Sequence, residues 1–80
     1  MTTIGAFLFE ARKRGKLEIE EVVIIFKNKY NISTSYDTLK RVENNKRTLP
    51  INEAVALSKV YKFDIQELIK LVELEMFNKL

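Results

Sequence analysis

Apolar residues recur at helical spacing at both ends of the chain. Ile4, Phe7, Leu8 and Ala11 fall at i, i+3, i+4 and i+7, and Ile65, Leu68, Ile69, Val72, Met76 and Leu80 form a second such stripe. This period places each set on one face of an α-helix. The longest apolar run, Val22 to Phe26, has only five residues and by itself would also suit a buried strand. Its helix-forming flanks favour a helix. The expected fold class is therefore all-α.

Capping chemistry sets the boundaries. A first helix is expected over Ile4 to Arg14, with Gly5 weakening its first turn and Gly15 as its stop. Arg12, Lys13 and Arg14 then occupy the negative end of its dipole. A second helix should run from Glu18 to about Tyr30, with Glu18, Glu20 and Glu21 in its first turn, where carboxylates are favoured. Ser35 is the expected N-cap of a third helix, with Thr34 and Asp37 offering a competing box one residue earlier. That helix buries Leu39 and Val42 and ends at Asn44-Asn45, where Asn tolerates a left-handed backbone. Pro50 fits the first turn of a fourth helix, whose apolar face is Ile51, Ala54, Val55, Leu57, Ser58 and Tyr61. Asp64 with Glu67 opens a fifth, which Leu71, Leu74 and Phe77 make apolar beyond a single stripe. Phe9, Ile24 and Ile25 lie off their stripes and need cover.

Composition removes several function classes. The 80 residues contain no Cys and no His, which excludes disulfides and zinc sites built from either residue. The only glycines are Gly5 and Gly15, so there is no glycine-rich phosphate loop. No nucleophile is paired with a base, and the expectation is a non-enzyme with no metal, cofactor or small-molecule ligand. No apolar run approaches the roughly 20 residues of a membrane span, and no signal peptide is evident, so a cytoplasmic protein is expected. The net charge of +3 is unevenly placed: residues 64–80 hold two cations against four carboxylates, leaving +5 on the first 63 residues. The basic clusters Arg12-Lys13-Arg14, Lys27 with Lys29, Lys40-Arg41 and Lys46-Arg47 suit a polyanionic partner.

The order and spacing of these features resemble one family. EEVV from Glu20, then SYDTLKRVENNKR from Ser35, is similar to EELA followed by SxxTIxxxENGKR. INEAVALSKVYKFDIQEL from Ile51 follows LxxLxxLAxxLxVxxxxL, most closely from Leu57 to Leu68. This is the pattern of the Cro-type, lambda-repressor-like helix-turn-helix regulators of bacteria and phages. The resemblance runs from Ile4 to about Ile69. It implies one domain over 1–80, a bundle of about five short helices with the third in the DNA major groove. Tyr36, Asp37, Lys40 and Arg41 then fall where base edges are read. Ser35, Thr38, Asn44, Asn45, Lys46 and Arg47 fall at phosphate-contact positions. Arg12 and Glu43 match a pair that ties helix one to helix three in some members.

The resemblance also implies a homodimer on double-stranded DNA, and the wide apolar surface of the helix over 64–80, which runs past the resemblance, suits it to dimerisation. Folding of that helix back over Ile24 and Ile25 is the other way to cover both surfaces. The departures are Glu18-Ile19 in place of Ser/Thr-Gln, about six extra residues between helices two and three, and Asn45 in place of Gly. They motivate an alternative: a protein-interaction module of antitoxin or anti-repressor type, binding through Glu18-Ile19 and helix five.

Overall fold

The computed structural model describes residues 3–78 and contains five helices, α1 (Ile4–Arg14), α2 (Ile19–Tyr30), α3 (Tyr36–Glu43), α4 (Ile51–Val60) and α5 (Ile65–Asn78). The protein is an all-α bundle with no strand among the described residues. None of its helices is long and apolar enough to cross a membrane. Leu80, the last residue of the expected α5 stripe, lies outside the described residues.

One core collects the inward face of each helix. Leu8 and Ala11 of α1, Ile19, Val22 and Phe26 of α2, Leu39 and Val42 of α3, and Ala56, Leu57 and Tyr61 from α4 and its C-cap are all buried together. Phe26 is fully enclosed and packs edge-on to Tyr30 at 6.4 Å. Burying side chains of this size stabilises the fold by about 1.5–3 kcal/mol each. Helix α1 packs on α3 and α5, α2 on α3 and α4, and α4 on α5.

Three features of the core differ from the sequence expectation. Ile19 is only 3% exposed, so it is a core residue and not part of an outward-facing surface. On α4 the buried face is Glu53, Ala54, Ala56, Leu57 and Ser58, while Ile51 and Val55 point outward. Small residues at 54, 56 and 58 let α4 approach its neighbours closely, and the large side chains at 51 and 55 are left on its rim. Finally, α5 packs on α1 and α4 and leaves Ile24 of α2 exposed. Within one chain, α5 does not fold back over α2. The off-stripe Phe9 is half-buried beneath its own helix's cations, 5.4 Å from the Arg12 guanidinium and 5.6 Å from the Lys13 ammonium.

At the C-terminal ends of α1 to α4 the left-handed position falls on a residue other than glycine. Lys16, Asn45 and Lys62 adopt left-handed backbone angles (φ 57°, 60° and 59°), and each precedes an N–H that reaches back five residues to a helix carbonyl. This is the Schellman closure, which normally recruits glycine. Gly15 does mark the end of α1, but it is right-handed at φ −79°, and the left-handed position falls on Lys16. Asn31 closes α2 in the same left-handed region, at φ 54°. Pro50 is the N-cap of α4 and not its first helical residue; its extended ψ of 150° turns the chain into the helix.

Candidate functional site

Helix α3 is short, and its position depends on what holds its two ends. At the N-terminus the Ser35 hydroxyl oxygen accepts the Thr38 N–H at 3.2 Å, so the cap falls on Ser35 and not on Thr34. The Ser35 hydroxyl also donates to Thr38 Oγ1 at 2.9 Å. Both hydroxyls are thus engaged within the first turn. At the C-terminus the Lys46 N–H bonds the Arg41 carbonyl at 2.8 Å, and the Asn45 N–H bonds Val42 at 3.1 Å.

Glu43 joins this helix to α1. Its carboxylate accepts from Arg12 Nε at 2.7 Å and from Arg12 Nη2 at 3.1 Å, a bidentate pair whose side chains are 6% and 7% exposed. The remaining Arg12 nitrogen, Nη1, donates to the Leu17 carbonyl at 2.9 Å. Hydrogen bonding to Glu43 holds the Arg12 guanidinium above its ordinary pKa, against the opposing effect of burial. The pair places a rigid strut beneath the last turn of α3. Tyr61 lies in the same region, and burial, with a smaller contribution from the Glu43 charge, pushes its phenol well up from 10.0.

Asn45 supplies a second tie. Its Oδ1 accepts the Gly5 N–H at 2.9 Å, and its Nδ2 donates to Thr3 Oγ1 at 3.0 Å. The backbones meet so closely that a Cβ at Gly5 would collide with the Glu43 carbonyl oxygen and lie 2.8 Å from Asn45 Oδ1. Gly5 is therefore a close-approach residue, an interaction that has no signature in helix propensity.

The four residues assigned by resemblance to base reading, Tyr36, Asp37, Lys40 and Arg41, all lie on the outward side of α3. Tyr36 is 44% exposed. None of the four is in an ion pair or a side-chain hydrogen bond among the described residues. The residues assigned to phosphate contact divide into groups. Asn44 and Lys46 are exposed, with side chains free of partners among the described residues, whereas Ser35, Thr38 and Asn45 use theirs internally. Arg47 Nη1 lies 3.6 Å from Oε1 of the buried Glu53, too long for a hydrogen bond, and that oxygen has no other partner among the described residues. Arg47 is thus partly committed to its own chain. Sequence reasoning missed Glu53, because a carboxylate on an otherwise apolar helix gives no sign of facing inward.

No family model, curated protein or solved structure matches the chain. The functional reading therefore depends on the geometry of α3 and its neighbours.

A groove of about 790 Å3 lies between α5 and the segment that joins α3 to α4. Leu49, Ala54 and Leu68 form its floor, and Ile51, Val72 and Met76 its lips.

Proposed function

We propose that the protein is a sequence-specific DNA-binding regulator of the lambda-repressor-like helix-turn-helix type, with α3 as the recognition helix. The observation that carries this reading is the outward face of α3. Two hydrogen-bonding cations, a carboxylate and a phenol stand free of side-chain partners among the described residues, on a helix clamped at both ends. Recognition helices need this combination, because base edges are read only by side chains held in a fixed register. Arg41 suits bidentate contact with guanine, and Asp37 suits the amino group of cytosine. Lys46 and Asn44 flank the helix on the side where the phosphate backbone would run.

A departure near α2 limits the phosphate contacts. Glu18 caps α2 with its N–H bonded to Glu21 Oε1 at 3.1 Å, and Glu20 is exposed beside it. Carboxylates at that helix start repel phosphate, so binding energy falls more heavily on α3 and on Lys46. The alternative reading as a protein-interaction module loses Ile19, which is buried, and is left with the exposed end of α5.

Fluorescence anisotropy with DNA from upstream of the coding sequence, against a scrambled duplex at about 150 mM salt, tests the reading. A preference of about a thousandfold is expected. Equal, weak binding to both duplexes would overturn it and leave only charge attraction.

A further inference from the structure

We propose that Glu53 is a positioning residue for Arg47: it holds that guanidinium against the start of α4 and so withholds it from a polyanion, leaving the neighbouring Lys46 to make the contact. Lys46 and Arg47 are adjacent in the turn that joins α3 to α4, and both are exposed residues at positions where phosphate contact is expected. Their surroundings differ. Lys46 has no ion-pair partner among the described residues. Arg47 Nη1 lies 3.6 Å from Oε1 of Glu53, and its side chain is 37% exposed against 8% for that of Glu53.

Burial makes the tether one-sided. Glu53 sits in the first turn of α4, where the helix dipole favours a negative charge. Its Oε1 has no hydrogen-bond partner among the described residues, and its only ion pair there is with Arg47. If Arg47 swings out to a phosphate, it strands a charged oxygen inside the protein, which is costly. A phosphate at the surface offers Arg47 an attraction screened by water and salt, whereas the buried carboxylate offers one that is screened much less. The buried partner therefore keeps Arg47. Two cations side by side in one turn thus have different roles: Arg47 compensates an internal charge, and Lys46 faces the solvent.

The proposal deepens the DNA reading, but its test uses no preferred site, so either can fail alone. Without DNA, Arg47→Ala should lower the urea midpoint, and adding Glu53→Gln should recover much of the loss. On a scrambled duplex between about 50 and 200 mM salt, Glu53→Gln should steepen the salt slope by about one, because it frees a further cation for phosphate. In the Arg47→Ala chain the same Glu53→Gln change should leave the slope as it is. Arg47→Ala alone should barely alter the slope, unlike Lys46→Ala. A slope that Arg47→Ala lowers by about one, or that Glu53→Gln leaves unchanged, would overturn the proposal. So would a urea midpoint indifferent to Arg47→Ala, no recovery in the double variant, or no binding of the scrambled duplex at about 50 mM salt. Equal binding to scrambled and upstream DNA would instead overturn the sequence-specific reading and leave this one standing.

Discussion

Arg12 and Glu43 form a two-pronged ion pair 31 residues apart in sequence, almost wholly shielded from water, with the remaining Arg12 nitrogen bonded to the Leu17 carbonyl. The pair fixes α1, the turn before α2 and the end of α3 relative to one another. Removing one partner leaves a buried charge uncompensated. Arg12→Met and Glu43→Gln should each cost about 3–5 kcal/mol in urea denaturation, and the double variant much less than their sum. Additive losses would mean that the two charges are solvated independently.

Gly5→Ala should destabilise the protein by about 1–3 kcal/mol, the usual cost of forcing extra atoms into a filled space. Helix propensity alone gives the opposite sign, a gain of about 1 kcal/mol. The sign of the change in urea midpoint therefore separates the two influences. A gain would show that α1 and the Glu43 carbonyl can move apart freely.

Lys62→Gly should stabilise the protein. The left-handed backbone costs a side-chain-bearing residue about 1–2 kcal/mol, and the extra freedom of glycine in the unfolded chain returns roughly half of that. The expected net gain is about 0.5 kcal/mol in chemical denaturation, and Lys16→Gly should behave alike. A loss at both positions would show that the lysine side chains contribute at those turns.

Tyr61 links stability to alkaline pH. Its folded pKa is raised above the 10.0 of a free phenol, by burial first and by the Glu43 charge second. A raised pKa means that the unfolded chain releases this proton first. The contribution is intact below pH 10.0 and is lost progressively as the pH rises above it. The denaturation midpoint should fall between about pH 9 and pH 11, and Tyr61→Phe should fall less steeply. Identical slopes would assign the alkaline loss to other groups.

On DNA, Arg41→Ala should cost about 1–3 kcal/mol on the preferred site and relax one base preference. Lys46→Ala should weaken all sequences alike and lower the salt slope by about one. A loss from Arg41→Ala that is equal on scrambled DNA would remove its base-reading role.

The helices themselves were legible because each has a periodic apolar face and a recognisable start. Ser35 could be placed from residue type, and the left-handed turn to within Asn44-Asn45, while the Arg12–Glu43 pair came from the family resemblance. Contacts between elements were less accessible. The burial of Ile19, the inward Glu53 and the outward Ile51 depend on how α4 meets its neighbours, and one helix's period does not specify that. The left-handed lysines were hidden for a local reason. Gly15 offers a cheaper stop, yet the bonds from Lys16 and Leu17 back to α1 place the strained angle one residue later. Gly5 looked like a weak helix start, and its actual role depends on a backbone 38 residues away.

The attachments of α1 also carry a consequence for the order of assembly. Its polar ties run from Arg12 to Glu43, from Gly5 to Asn45 and from Ile4 to Glu75, separations of 31, 40 and 71 residues. During synthesis α1 has no partner for these groups until α3 has followed it, and its last tie waits for the end of α5. Helices α2, α3 and α4 can begin to pack while α1 is still waiting. Helix α1 thus completes its polar ties only after helices translated later than it, and it locks those parts of the chain together.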